Sequence, residues 1–225
     1  MILRKYGISI SLLKEKDIEM VRQWRNDPVV VASHEFREYI TPEMQKAWFK
    51  SVNNINNLYT IIGYQGEKVG VINLKNIDWA KKSFETGVFI PFTKYHLSPL
   101  PAIVSFITTE IPFTLFDWNI GYAHVLKNNI KTRAFIRQLG YELTPGQEDV
   151  DNQEFIITQE TFAKKAAKLK KAISSLVTED LQASMLFEKE EMDNPVEMQW
   201  EEIVKSNRNV TRMESTAEGR IYYFP

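Results

Sequence analysis

Glu85-Thr86-Gly87-Val88-Phe89-Ile90, then Pro91 to Leu97, then Ser98-Pro99-Leu100-Pro101 opening an apolar run to Phe116, is the stretch on which the fold turns. Ser83 to Ile90 reads as a strand and Pro91 to Leu97 as a loop, and Leu100 to Phe116 as a buried helix with a proline, Pro112, near its end. Trp118 to Leu126 reads as the next strand. Asn129 to Leu139 is a helix closed by Gly140, the usual left-handed terminator. Glu154 to Thr158 is a last strand. On the other side, Leu58 to Gly63 and Lys68 to Leu74 are strands joined around Gln65-Gly66, a hairpin signal. Thr41-Pro42-Glu43 starts a helix with a hydroxyl cap, a proline in the first turn and an acid. Asp17 is expected to cap a helix carrying Ile18, Val21 and Trp24, which ends near Asn26-Asp27-Pro28. Gly7 to Leu13 alternates as a first strand. The order is strand, two helices, three antiparallel-type strands, helix, strand, helix, strand. That pattern predicts an α+β fold with a mixed, mainly antiparallel sheet and helices on both faces, not a doubly wound one. The central cleft is expected between the strand ending at Ile90 and the strand from Trp118.

Composition removes several function classes. The 225 residues carry 28 Lys+Arg and 29 Asp+Glu, a net charge of −1 without the basic excess that nucleic-acid binding requires. Cysteine is absent, which excludes disulfides, thiolate nucleophiles and Cys-ligated zinc. The longest charge-free stretch, Tyr95 to Thr109, is broken by prolines and shorter than the roughly 20 apolar residues of a spanning helix. The N-terminus lacks the pattern of a signal peptide. A cytoplasmic protein with no nucleic-acid or membrane partner is expected. No His/Asp/Glu spacing suggests a metal site.

Residues 161–225 differ in character from residues 1–160 and read as a helical C-terminal extension. Phe162, Ala166, Leu169, Ile173 and Leu176 fall at helical spacing between lysines. Asn194-Pro195-Val196-Glu197 starts a second helix, and Gly219 to Phe224 is a candidate terminal strand. The apolar stripe and the aromatic end of the chain must pack on something. The extension is expected to dock on the first unit or on a second copy of it, the latter giving a homodimer.

The segments Trp24-Arg25-Asn26-Asp27-Pro28, Thr41-Pro42-Glu43, Trp48-Phe49, Val69-Gly70-Val71-Ile72 and Glu85 to Ile90, with Asn129, Thr132, Phe135 and Leu139-Gly140-Tyr141, resemble in order and spacing the GCN5-related N-acetyltransferase (GNAT) superfamily. The likeness is greatest to the branch of ribosomal-protein and sugar-nucleotide N-acetyltransferases, and it covers roughly residues 3–160. The resemblance implies acyl transfer, acetyl in the simplest case, from acetyl-CoA or another acyl-CoA to the amine of a small molecule, for example an amino sugar attached to a nucleotide. It places backbone of Val88, Phe89 and Ile90 along the pantetheine arm and Asn129 at the cofactor side of its helix. Glu85, two residues before Gly87, becomes the candidate general base. Trp24, Arg25, Asn26 and His34 fall where relatives bind the acceptor. The structural alternatives are Glu85 as an exposed strand residue, Asn129 as an N-cap, Trp24 as core, and Arg25 and Asn26 as local caps or pairs. His124 reads as a satisfied, partly buried strand residue.

Two departures stand out. The family's diphosphate loop carries Arg/Gln-x-x-Gly-x-Gly/Ala before the central helix, whereas Lys94 to Ala102 here holds no glycine and two prolines that remove amide donors. Lys94, His96 and Ser98 are the groups left to hold a diphosphate, with His96 also a candidate acid/base. The tyrosine that protonates the leaving thiolate is replaced by Ile136, seven residues after Asn129. These departures keep two alternatives open: a GNAT-like binding or assembly module without catalysis, and an acyltransferase whose donor is an acyl group on a carrier protein.

Overall fold

Tyr6-Gly7, both in the left-handed region (φ 51° and 70°), turns β1 (Ile2–Lys5) back onto β2 (Ile8–Leu12). β1 is too short to show alternation of its own, and the sequence pattern gives only β2. The computed structural model describes residues 1–191 and 194–225. After a short 3-10 turn come α1 (Ile18–Arg25), α2 (Pro28–Val31) and α3 (Pro42–Val52). Asp17 does not cap α1 as the sequence suggests. Its own backbone is already helical, and its buried carboxylate accepts from Lys68 Nζ at 2.6 Å. The next two helices are capped by Asp27, bonded to the Val29 amide, and Thr41, bonded to the Met44 amide.

β3 (Leu58–Tyr64) and β4 (Glu67–Asp78) meet at Gln65-Gly66, again two left-handed residues (φ 51° and 80°), as the hairpin reading requires. β5 (Ser83–Phe89) leads through the loop to α4 (Leu100–Thr114), which is buried along most of its length. The helix passes through Pro112, and the Leu115 amide still closes on the Ile111 carbonyl at 2.9 Å. β6 (Ile120–Leu126), α5 (Ile130–Leu139), β7 (Glu142–Leu143) and β8 (Asn152–Thr158) follow. Asn129 caps α5 through the Thr132 amide, and Gly140 ends it at φ 109°.

The expected helix from Thr161 is two helices, α6 (Gln159–Lys165) and α7 (Ala167–Leu176), parted at Ala166. Phe162, Ala166 and Ile173 are buried, but Leu176 at the end of the stripe is exposed. Beyond it lie β9 (Ser184–Glu188), α8 (Pro195–Lys205), β10 (Arg212–Ser215) and β11 (Gly219–Tyr223). The extension therefore adds strands as well as helices. Asp193, the last of the acids before Asn194, lies outside the described residues.

All eleven described strands form one sheet in the order β10-β11-β9-β1-β2-β3-β4-β5-β6-β8-β7. Every neighbouring pair is antiparallel except β5 and β6. Strand alternation sorts the apolar side chains onto two faces. Ile8, Ile62, Phe84 and Phe155 pack with Phe106 and Phe113 of α4, Leu139 of α5, Phe162 of α6 and Trp200 of α8. On the opposite face Ile61 and Val71 pack with Val21 of α1 and with Trp48 and Phe49 of α3.

One contact tests how tightly the extension is set. Gly219 has φ 154°, and a Cβ there would stand 2.0 Å from the Phe187 carbonyl oxygen in β9. Gly219→Ala is expected to break the β9–β11 pairing locally and cost about 1–3 kcal/mol. That corresponds to a drop of roughly 2–10 °C in Tm for a chain of this size. An unchanged Tm by calorimetry would show that β11 contributes little to the folded state.

Candidate functional site

The parallel register of β5 with β6 runs from Ser83–Ile120 to Thr86–Ala123 and then stops. Gly87, Val88 and Phe89 continue to pair with β4 through Asn73, Ile72 and Val71. Their other edge has no ladder partner among the described residues. The two strands thus part at Gly87, and a free strand edge is the kind of surface onto which an extended pantetheine arm lays amide groups as an added strand.

Glu85 sits just before this parting, on the face that carries α1 and α3. Its Oε1 accepts from Lys75 Nζ at 2.8 Å and from His124 Nδ1 at 3.0 Å, and its Oε2 accepts from Asn76 Nδ2 at 2.9 Å. Burial alone would raise its pKa. The hydrogen bond and charge of Lys75, then His124 and Asn76, outweigh burial and hold the carboxyl below its ordinary value of 4.5. Because an ionised carboxylate only accepts, His124 donates to it from Nδ1, and in the neutral imidazole Nε2 is then the nitrogen with the lone pair. Nε2 lies 3.8 Å from Glu154 Oε2 and the side chain is about one-third exposed (35%). Lys75, Glu85, His124 and Glu154 form a polar row across four strands.

His124 was legible only as a satisfied strand residue. Its neighbours Ala123 and Val125 point into the α4-side core, so alternation sends His124 to the other face. The pairing of β5 with β6 that brings it to Glu85 is non-local. Tyr59 and Asn73 join the site the same way, lying in register with Gly87 across β3 and β4. A Cβ at Gly87 would meet the Asn73 amide at 2.9 Å, so that amide lies over the glycine, and its Oδ1 is buried with no hydrogen-bond partner.

The acceptor-side candidates divide. Trp24 packs edge-on against Phe92, 5.9 Å between ring centres, which makes it part of the wall. Asn26 exchanges two hydrogen bonds with the Ile40 backbone, both 2.9 Å, and pins the base of the loop from Asp27 to Tyr39. It is a loop clamp and does not face the cleft as a binding group. His34 bonds the Val30 carbonyl at 2.8 Å and stands edge-on to Phe89. Burial and the Arg25 charge depress its pKa despite that carbonyl, so it is neutral at pH 7. Next along the loop, Glu35 accepts from Asn152 Nδ2 at 2.8 Å, so the loop bridges the cleft from β5 to β8. Arg25 lies half-buried over the Phe89 ring.

The loop before α4 is closed on itself. His96 Nε2 bonds the Ile90 carbonyl at 2.9 Å. Lys94 pairs with Glu67, which also accepts from Tyr95 Oη, both at 2.8 Å. Ser98 Oγ bonds the Tyr95 carbonyl and receives the Leu100 amide. The amides of Tyr95, His96 and Ser98 are spent on carbonyls within the loop, and Pro99 and Pro101 have none. Lys94, His96 and Ser98, offered by the sequence as diphosphate ligands, are each engaged internally, and the carbonyl of Ile90 is taken. The residues present fit a pantetheine arm and do not fit a diphosphate in this loop conformation. Ile136 is buried, and Tyr141 is a fully buried core residue whose phenol burial pushes above its ordinary value. Neither can protonate a leaving group in the cleft. Among the described residues no cluster of His, Asp and Glu is placed to hold a metal ion, and no helix is long and apolar enough to cross a membrane.

A family model described as an acetyltransferase (GNAT) domain matches residues 10–155. No curated protein matches the chain. Among solved structures, apo FdhC, described as a nucleotide-linked sugar GNAT, is similar with a TM-score of 0.62 at 18% identity, over 75% of this chain and 96% of that one. Spermidine N-acetyltransferase from Vibrio cholerae, in complex with CoA and spermine, gives 0.59 at 13% identity, over 70% and 98%. A domain from Methanocaldococcus jannaschii gives 0.56 at 20%, over 67% and 97%. At these identities the structural likeness is one of fold.

Proposed function

Because the chain belongs to the GNAT acetyltransferase family, whose members use acyl-CoA, we propose that it transfers an acyl group, acetyl in the simplest case, to the amine of a small molecule such as a nucleotide-linked amino sugar. The observation that carries this reading is the Glu85–His124 pair at the point where β5 and β6 part. When bound, the donor supplies an acyl thioester. Val88 and Phe89 would hold its pantetheine arm by backbone. Glu85 is a poor base, because Lys75 and His124 favour its ionised form. Its role is to fix the His124 tautomer, and Nε2 of His124 takes the proton from the incoming ammonium. Val88 and Phe89 hold the arm at the parting, and His124 reaches the same place from β6. The sugar-nucleotide relative FdhC supports the choice of acceptor class by fold likeness alone.

The test is to screen amines with acetyl-CoA and detect released thiol. Turnover that survives in the wild type and disappears in His124→Gln supports the reading. Turnover with no amine dependence sinks it.

The closed loop favours a second reading, in which the pantetheine arm belongs to a carrier protein, since that donor presents no adenosine diphosphate to the loop. The same loop sets an expectation for CoA. Lys94→Ala and His96→Ala are expected to leave CoA affinity within about twofold, because neither group is free to bind phosphate. Titration calorimetry on both variants checks this. A tenfold loss in either would show that the loop opens and uses them.

A further inference from the structure

Arg25 has neither a hydrogen bond nor an ion pair among the described residues, and its Nε is buried without a partner. Arg22, one turn earlier, is fully engaged with Glu19, Tyr39 and the Ile40 carbonyl. A guanidinium stays charged at any physiological pH, so Arg25 is a cation partly withdrawn from water with no carboxylate beside it. The Phe89 ring returns only part of the lost hydration, and an anion from outside the chain would complete it. Its place is specific. The guanidinium carbon is 6.0 Å from the centre of the Phe89 ring. Phe89, Gly87 and Glu85 alternate onto one face of β5, so Arg25 and the Glu85–His124 pair share that face. Glu85 and Phe89 are four residues apart, about 13 Å along a strand. Between them lies Asn73, whose buried amide oxygen is also unpartnered and accepts only from an N–H or O–H.

We propose that Arg25 binds an anionic group, carboxylate or phosphate, carried by the amine acceptor at the end opposite its amine. This rests on the reading that the acceptor occupies the Glu85 face. The acceptor is then a molecule with a hydrogen-bond donor in the middle, an amine at one end and an anion at the other. A polyamine, cationic throughout, would meet Arg25 as a like charge. The positive field is already felt by the neighbouring His34, which Arg25 helps to keep neutral.

Inorganic pyrophosphate and glutarate serve as probes on the full chain, followed by thermal melting in wild type, Arg25→Gln and Arg25→Lys. Wild type near 100 times Kd of probe is expected to gain about 5–10 °C. Arg25→Gln is expected to lose the gain and Arg25→Lys to keep part of it, while probe-free Arg25→Gln melts at or above wild type. No gain in wild type, an equal gain in Arg25→Gln, or a probe-free Tm several degrees lower in both variants overturns the proposal, the last by showing a packing role. The probes are then repeated with CoA saturating. A gain that persists assigns the anion site to the acceptor. A gain abolished by CoA, with CoA itself weakened in Arg25→Gln, assigns it to the donor and overturns the proposal. Failure of CoA to bind at all would count against the proposed transfer from CoA and leave the anion result standing.

Discussion

His124→Gln is expected to lower kcat by about 10²–10⁴, the usual worth of a positioned general base. Glutamine keeps hydrogen-bonding capacity toward Glu85 but has no lone pair basic enough to take a proton from an ammonium. Glu85→Gln should act through the same step. It removes the acceptor that fixes Nδ1–H, so kcat falls. A merely structural Glu85 would change Tm and leave kcat in place. The two effects separate on the pH axis. With its folded pKa depressed, Glu85 contributes stability that is fully present above its ordinary value of 4.5. That contribution is lost only as pH falls through the lower folded value. Between pH 6 and 8 the Glu85 term in stability is flat, and any pH dependence of turnover there belongs to the imidazole or the amine. Full activity of both variants across this range would end the proton-transfer assignment. If His124→Gln alone is silent, the base is another group.

What the sequence disclosed follows from how local each signal is. Gln65-Gly66, Thr41-Pro42 and Gly140 are fixed by the dihedral and amide needs of a few adjacent residues, and each folds as its residue types require. The carboxylate before Gly87 was legible only through the family resemblance. His124 was not, because its role depends on which strand β6 lies beside. The unpaired state of Arg25 was invisible too. An arginine in an amphipathic helix normally finds a carboxylate, and only the packed fold shows that Phe89 and Tyr59 surround it instead. Of the extension's strands β11 was legible as Gly219 to Phe224, while β9 and β10 were missed; Ser184–Glu188 is short and pairs with β1 across most of the chain, a register that local periodicity cannot supply. Ala166 broke the expected long helix although its side chain is buried, since a stripe at helical spacing constrains the face and says nothing about continuity.

Truncation after Thr158 is expected to leave a fragment that does not fold, the largest effect on stability anticipated for this chain. β9 occupies the sheet position next to β1, between it and β11. Removing it turns β1 into an open edge with unpaired backbone groups, which favours self-association. The loss in the core is larger. Met185, Leu186, Phe187, Trp200, Val204 and Phe224 are each at most 4% exposed. At about 1.5–3 kcal/mol per buried side chain, these six contribute on the order of 9–18 kcal/mol. That is comparable with the roughly 5–15 kcal/mol by which a whole domain is stable. Their partners would be uncovered too, Trp118 and Trp79 among them, since both lie against the aromatic cluster of Trp200 and Phe116. Buried Glu110 in α4 would also lose Lys170, paired at 2.7 Å, and keep a weak bond from Tyr6 and the charge of Lys5. Taking one partner from a buried carboxylate is destabilising in its own right. Limited proteolysis of the full chain should therefore spare β9, α8 and β11 until global unfolding. A fragment ending at Thr158 should be insoluble or lack a cooperative melt by calorimetry. A soluble fragment with a Tm near that of the full chain would show that the extension covers the sheet without completing its core.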